Sequence, residues 1–208
     1  MDILNELSEL IQQGKMQEIA EKTEKALEQG LSPVDILDNG LIKGMEVVGD
    51  KFKKNEIFVP EMLIAARAMN KALETLEPRM VKGDIKTKGT IVIGTVEGDL
   101  HDIGKNLVGI MFKGAGYKVV DLGVNVSAAQ FIDGIKEHKA EFAGLSALLT
   151  TTMGNMKSTI VAIKEAGLDT LVLVGGAPVS EGYAEEMKAD GFADDAGSAL
   201  DVAKSLLA

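Results

Sequence analysis

The sequence contains no cysteine and no tryptophan. The lack of cysteine excludes disulfides, thiolate zinc sites, iron–sulfur clusters and cysteine nucleophiles. Aromatic residues make up only 4% of the 208 residues, so a core must be built mainly from aliphatic side chains and the ten methionines. Hydrophobic residues still make up 46% of the chain, which is enough for a folded core and excludes wholesale disorder.

Basic residues are also scarce. Lysine and arginine total 22 against 32 aspartates and glutamates, which gives a net charge of −10. Because phosphate backbones would repel so acidic a chain, we predict that it binds no nucleic acid. The sequence has no stretch near the roughly 18 apolar residues of a membrane span and no basic, apolar leader. We therefore expect a soluble cytoplasmic protein with no membrane partner.

Apolar residues recur with helical spacing through the first part of the chain. Gly30 ends the second helical stretch, Ser32 and Pro33 supply the cap and first position of the third, and Pro60 opens the fourth. The predicted helices cover residues 4–11, 16–27, 33–52 and 60–76. Helices joined by such short loops predict a small four-helix bundle, and the charged residues 78–88 that follow predict a linker.

Strand-like and helix-like segments alternate in the rest of the chain. Residues 90–96 form a mainly β-branched run, typical of a strand buried on both faces. The predicted strands cover residues 90–96, 118–122, 142–148, 170–174 and 192–194, and the predicted helices 105–115, 128–138, 156–166, 181–189 and 199–207. This pattern predicts an α/β fold with a flavodoxin-like (Rossmann-like), doubly wound parallel sheet of order 2-1-3-4-5. We place the domains at residues 1–88 and 89–208.

The unusual polar and glycine residues of the second domain follow strands 1, 3 and 4, which are neighbours in the predicted sheet. His101 lies two residues after Asp99, whose carboxylate could accept one imidazole N–H and leave the other nitrogen free as a ligand. A solvated loop histidine is the simpler interpretation. A lone imidazole cannot complete a zinc site, but it could be an axial ligand of a metal held by a macrocycle. His138 is interpreted as a cation at a helix end.

Residues 98–108, GDLHDIGKNLV, closely resemble the cobalamin-binding signature Asp-x-His-x-x-Gly. Ser146-x-Leu148 and Gly175-Gly176 match the two later blocks of that signature. Residues 56–61 and 65–69 resemble the helical cap module that precedes this domain in methionine synthase and in small corrinoid proteins. The chain is thus identified as a member of the corrinoid methyl-carrier proteins of three-component methyltransferase systems, and the resemblance spans nearly its whole length.

The resemblance implies roles for three residues near a cobalt ion. His101 would be the lower axial ligand to the cobalt of cobalamin or a related corrinoid, in place of the cofactor's own base. Asp99 would be the hydrogen-bond partner of His101. Thr152 stands where the relay of methionine synthase has a serine, and its hydroxyl would complete the relay from His101 and Asp99.

The resemblance also implies where the rest of the cofactor lies. Glycines would form a narrow slot for the displaced nucleotide tail, with Ser146 and Thr150 as hydrogen-bond donors and Ala196 at its border. Phe58 would shield the upper face, and Met62 would either join it or belong to the bundle core. The predicted cofactor-binding set is Phe58, Met62, Gly98, Asp99, Leu100, His101, Asp102, Ile103, Gly104, Ser146, Leu148, Thr150, Thr152, Gly175, Gly176, Ala177 and Ala196.

By the same resemblance, the chain would carry a methyl group on cobalt, as methylcobalamin or its analogue, and would not be catalytic alone. A substrate-specific methyltransferase would load it from methanol, a methylamine, a betaine or an aryl methyl ether. A second methyltransferase would pass the methyl group to tetrahydrofolate or coenzyme M. A corrinoid reductive activase would be a further partner.

Three other functions share parts of the pattern. A cobalamin-dependent sensor would typically add a DNA-binding module, which does not suit this acidic chain. A cobalamin-binding mutase subunit would share the signature but not the helical cap. A flavodoxin-like electron carrier would need a phosphate-binding loop after strand 1, where residues 97–102 instead hold three acids that would repel phosphate.

Overall fold

A computed structural model describes residues 2–79 and 87–207 of the chain. Most of the linker predicted at residues 78–88 lies outside the described residues. The described residues divide into two compact units, a helical unit in the first part of the chain and an α/β unit that begins at Lys88. None of the helices within these described ranges is long and apolar enough to cross a membrane.

The described residues of the helical unit form four helical stretches, as the apolar spacing predicts. The first ends at Gly14, whose left-handed φ of 66° favours glycine. Ser32 caps the third stretch by accepting the backbone N–H of Asp35. The bounds are α1 Ile3–Gln13, α2 Met16–Glu28, α3 Pro33–Ile36, α4 Lys43–Lys53 and α5 Val59–Leu76, with a π-helical turn Leu37–Ile42 that joins α3 to α4 and a 3₁₀ turn Glu77–Arg79.

Helices α1 and α4 pack closely at Gly44. A Cβ atom at this position would lie 2.8 Å from Cβ of Ile11 and 2.9 Å from the backbone oxygen of Ser8. A larger residue would therefore push α1 and α4 apart. Leu7 and Ile11 on α1 are fully buried. On this helix, the apolar residues that recur with helical spacing in the sequence are thus the ones that face the core.

The α/β unit contains parallel strands in the order β2-β1-β3-β4-β5, which confirms the predicted topology. β1 is buried along its whole length, as its sequence predicts. The strands are β1 Thr90–Thr95, β2 Lys118–Asp121, β3 Phe142–Ser146, β4 Leu171–Gly175 and β5 Gly191–Ala193. The helices are α6 Ile103–Gly114, α7 Ala128–His138, α8 Met153–Glu165, α9 Glu181–Met187 and α10 Ala196–Leu206.

The strand register sorts side chains onto two faces of the sheet. Helices α6 and α10 cover one face, because Gly109 of α6 approaches Ile93 of β1 and Val202 of α10 approaches Gly191 of β5. Helices α7 and α8 cover the other face, where their apolar side chains form one core with residues such as Val92 of β1. The carboxyl ends of β1, β3 and β4 lie side by side, in register Thr95, Ser146 and Gly175.

Candidate functional site

His101 is held through both its side chain and its backbone. Its Nδ1 lies 2.7 Å from Oδ1 of Asp99, and its backbone N–H donates to the same oxygen at 3.1 Å. Its carbonyl oxygen accepts a hydrogen bond of 2.8 Å from Oγ1 of Thr95, which is buried at the end of β1. The side chain is 50% exposed, and Nε2 has no hydrogen-bond partner among the described residues. The imidazole is thus fixed at Nδ1 and open at Nε2.

Asp99 is fully buried and joins the loops after β1 and β3. Its Oδ2 accepts hydrogen bonds from the backbone N–H groups of Leu148 at 2.8 Å and Leu149 at 3.2 Å, and from Oγ1 of Thr152 at 2.8 Å. Burial alone raises the pKa of this carboxyl, but the hydrogen bonds from His101, Leu148 and Thr152 outweigh burial and hold the pKa well below its usual value. Asp99 is therefore an anion that fixes both loops.

These hydrogen bonds make β3 shorter than its sequence predicts. The strand was expected to continue to Leu148, but it ends at Ser146. The amides of Leu148 and Leu149 turn toward Asp99 instead of extending the sheet. Thr150 follows this turn and is exposed. It is not part of the cavity lining described below, so its predicted contact with a cofactor tail stays a prediction.

Two asparagines that the sequence did not reveal hold the loop of Asp99 in place. Asn125 accepts the backbone N–H of Gly98 on Oδ1 at 2.7 Å and donates its own backbone N–H to the carbonyl of Asp99 at 2.9 Å. It does so with a left-handed φ of 54°, which asparagine tolerates better than most residues. Asn155 donates Nδ2 to the carbonyl of Glu97 at 2.7 Å. An asparagine in a loop or in the first turn of a helix is too common to indicate such a role from sequence.

A cavity of about 570 Å³ opens beside His101, on the face of the sheet that α6 and α10 cover. Its volume falls within the range of roughly 300–1,000 Å³ typical of small-molecule sites. The predicted site residues that line it are Leu100, His101, Asp102, Ile103, Gly104, Ser146, Leu148, Gly175, Gly176, Ala177 and Ala196. Gly98, Asp99 and Thr152 do not line the cavity. They hold His101 and its loop in position beside it.

Glycine occurs at three positions around the cavity for different physical reasons. A Cβ at Gly104 would meet no atom within 4 Å, so this position leaves open space. Gly176 has a φ of 133°, and a Cβ there would lie 1.9 Å from the oxygen of Ala147, so the turn after β4 requires glycine with or without a ligand. Gly144, which the sequence did not reveal, is half-buried in the middle of β3 and lines the cavity. A glycine inside a strand can mark a bulge, a bend or the close approach of a ligand or backbone, and here the position faces the cavity.

Lys105 is a further lining residue that the sequence did not reveal. Its side chain is buried, and Nζ lies 2.5 Å from Oδ2 of Asp121 and 2.7 Å from Oδ1 of Asn106. A buried charge needs such partners. The pair ties the first turn of α6 to the end of β2 and leaves Lys105 neutralised within the cavity wall.

The two predicted cap residues belong to the helical unit. Phe58, just before α5, is 64% exposed, whereas Met62 on α5 is fully buried. Met62 thus has the burial of a core residue, which was the alternative interpretation of this position. The contact of either residue with a cofactor stays a prediction.

The α/β site has the features that a corrinoid needs. Among residues 2–79 and 87–207, no group of three or more histidine, aspartate or glutamate side chains could hold a metal ion, so His101 would act as a single protein ligand. Leu100 and Ile103 flank His101 and are 70% and 73% exposed, as expected of side chains that a flat macrocycle would cover. The neighbouring cavity has room for a nucleotide tail.

Comparisons with known proteins find relatives for both parts of the chain. Residues 89–204 match the family model of the B12 binding domain, and residues 3–77 match a second model with the same description. The chain is 45% identical over 212 residues to a corrinoid protein of Desulfitobacterium hafniense (strain Y51), covering 100% of this chain and 98% of that protein. It is 43% identical over 195 residues to a trimethylamine corrinoid protein of Methanosarcina barkeri, covering 91% and 90%.

A solved structure shares the fold of the chain. The methanol:cobalamin methyltransferase complex MtaBC of Methanosarcina barkeri matches with a TM-score of 0.91 and 30% identity, over 99% of this chain and 79% of the matched chain. Fold and site together define a B12-binding protein. The chain belongs to the family of corrinoid proteins, which confirms the resemblance seen in residues 98–108, and its cofactor is cobalamin or a related corrinoid.

Proposed function

We propose that this chain is the methyl-carrying corrinoid protein of a methyltransferase system. The observation that carries the proposal is the imidazole of His101, fixed at Nδ1 by a buried carboxylate and open at Nε2 beside the cavity. The comparisons support the carrier role, because one relative is named a trimethylamine corrinoid protein and the matched structure is a methanol:cobalamin methyltransferase complex.

Each residue of the site has a role in this proposal. Nε2 of His101 would be the protein's ligand to the cobalt, and Asp99, held by Thr152, would keep the imidazole in the tautomer that exposes this nitrogen. The cavity would hold the nucleotide tail, with Ser146 at its rim. When bound, the cobalt of the corrinoid accepts and releases the methyl group. The protein holds and orients the cofactor and sets the strength of its lower ligand.

The partners follow from the carrier role. A substrate-specific methyltransferase loads the methyl group, a second methyltransferase passes it to tetrahydrofolate or coenzyme M, and a reductive activase returns the cofactor to its active state. We favour a methylamine or methanol as the donor, because these donors occur in the names of the matched proteins. The chain is not catalytic alone and works in the cytoplasm with these enzymes.

The ligand assignment is tested with the cobalt(II) form of the reconstituted protein. Protein labelled with ¹⁵N-histidine should show labelled nitrogen bound to cobalt by electron paramagnetic resonance. His101→Ala should lose this signal, whereas His138→Ala, which removes the other histidine of the chain, should keep it. Labelled nitrogen still bound to cobalt in His101→Ala would show that the proposal has the wrong ligand.

The donor is tested with purified methyltransferases specific for trimethylamine, dimethylamine or methanol. The reduced, reconstituted chain should be methylated by its partner enzyme with the matching donor and not by donor alone, as followed by absorbance. Preferential binding of adenosylcobalamin, with no methylation by any of these enzymes, would instead indicate a mutase-type subunit.

A further inference from the structure

The cavity beside His101 becomes less polar with depth. Its floor consists of residues on one face of the sheet, in layers two residues apart along the strands, a spacing of about 6–7 Å. Ser146 and Gly175 form the layer at the rim, Ile93, Gly144 and Leu173 form the next, and Ile91 lies deepest. The only side-chain polar atom among these six residues is therefore the hydroxyl of Ser146 at the rim.

The other polar lining residues also lie at the rim or are already paired. Asp102 follows the end of β1, and Asp194 and Asp195 follow the end of β5. Lys105 lies in the first turn of α6, at this same edge, and its Nζ contacts Asp121 and Asn106. Within the described parts of the chain, no buried side-chain nitrogen or oxygen lacks a hydrogen-bond partner. The deep layers therefore offer a ligand no free side-chain donor or acceptor.

Gly144 creates the space in the middle layer. It pairs with Ile93 on β1 and Leu173 on β4. A Cβ at this position would point over the same face, 3.1 Å from Cγ2 of Ile93 and 3.6 Å from Cδ1 of Ile91. Gly144 is half-buried although β3 is the central strand, so the cavity reaches this depth. Any side chain here would reduce that space.

The lower base is the end of the corrinoid tail that lies farthest from the ring. If the tail enters the cavity from His101, as the proposed function requires, its base reaches the layer of Gly144. We propose that this floor selects corrinoids with an apolar lower base, such as benzimidazole, over corrinoids with adenine. Adenine carries an amine and extra ring nitrogens, which would lose their hydrogen bonds to water and find no side-chain partner among Ile91, Ile93 and Leu173.

The first test uses the unmodified protein and three corrinoids. These are benzimidazolyl cobamide, adeninyl cobamide and cobinamide, which has no nucleotide tail, and their affinities are measured by absorbance titration. We expect adeninyl cobamide to bind at least about tenfold more weakly than benzimidazolyl cobamide. In the free cofactor, benzimidazole is the more basic ligand and binds its own cobalt more firmly than adenine does. If release of the base from cobalt alone decided affinity, adeninyl cobamide would therefore bind more tightly. Equal or tighter binding of adeninyl cobamide would overturn the proposal.

The second test examines Gly144 itself. Gly144→Ala should weaken benzimidazolyl cobamide at least about tenfold and leave cobinamide unchanged, since only the tail reaches this layer. Gly182→Ala is the matched control, because a Cβ there meets no atom within 4 Å and the residue does not line the cavity. Unchanged binding of benzimidazolyl cobamide, or an equal loss for cobinamide, would overturn the role of Gly144. Cobinamide that binds wild type without ligation by His101 would instead contradict the proposed function.

Discussion

At the scale of residues, the site is organised around a carboxylate that stays ionised although it is buried. Asp99 accepts two hydrogen bonds from His101, two from backbone amides and one from Thr152. These hydrogen bonds take the place of the water that burial removes. Because the same carboxylate also orients the imidazole, the position of His101, the proposed cobalt ligand, depends on both loops at once.

Replacing Asp99 by asparagine should weaken corrinoid binding by roughly 10- to 100-fold, the usual cost of losing the partner of a metal-binding histidine. The amide retains one acceptor oxygen, so it cannot accept both from His101 and from the amides of Leu148 and Leu149. Absorbance titration of the cofactor-free protein measures the affinity. Asp133→Asn, on the exposed side of α7, is the control. An affinity equal to that of the control would remove Asp99 from the relay.

The lowered pKa of Asp99 also predicts a pH dependence. Its folded pKa lies below the ordinary value of 3.8, so its contribution to stability is complete well above that pH and is lost as the pH falls below it. The difference in free energy of unfolding between cofactor-free wild type and Asp99→Asn should therefore shrink as the pH falls below about 4. Urea unfolding at several pH values measures this difference. A difference that stayed constant or grew below about pH 4 would contradict the assignment.

Some site residues could be predicted from the sequence and others could not. Asp99 and His101 are close in sequence, so their contact follows from local geometry. Thr152 was found through a family pattern. Thr95 binds the carbonyl of His101, and Gly144 lines the cavity. Both roles depend on strand register and on which helices cover the sheet face, and no local pattern of residue types specifies either.

At the scale of elements, the structure confirms the predicted order of helices and strands. The apolar spacing that predicts them reflects which side chains are buried. The prediction was wrong at the functional edge, where β3 ends two residues early and α8 begins at Met153 instead of Met156. There the buried carboxylate of Asp99 accepts hydrogen bonds from the backbone amides of Leu148 and Leu149, which would otherwise extend β3. The π-helical turn Leu37–Ile42 was also missed, because apolar spacing does not distinguish one π turn from an α-helical turn.

The turn after β4 has no room for a single added methyl group at Gly176. Gly176→Ala should lower the free energy of unfolding by about 1–3 kcal/mol, because alanine is strained at this φ and its Cβ would overlap the oxygen of Ala147. Urea unfolding of the cofactor-free protein measures the loss. Gly182→Ala in α9 should be neutral or slightly stabilising by comparison. Equal stability of the two variants would show that the turn relaxes without cost.

At the scale of the whole molecule, we propose that the helical unit shields the methyl group on the upper face of the cofactor. The proposal rests on the resemblance of residues 56–61 to the cap module, and the ring of Phe58 is exposed. Phe58→Ala should raise the rate at which light cleaves the methyl–cobalt bond severalfold, because a covering group keeps the freed methyl radical close and favours recombination. Met16→Ala, which removes another exposed apolar side chain of the helical unit, should leave the rate unchanged. Equal rates in wild type and Phe58→Ala would exclude this role for Phe58.

The hydrogen bonds of Asp99 also bear on motion. Leu148 and Leu149 are 44% and 41% exposed in the loop after β3, where amide hydrogens ordinarily exchange quickly with deuterated solvent. Their N–H groups, however, donate to a carboxylate that solvent does not reach. Their deuterium uptake should therefore be as slow as that of β1. This loop would then join a stiff backbone to exposed leucine side chains, which could change rotamer against a cofactor surface without moving the histidine.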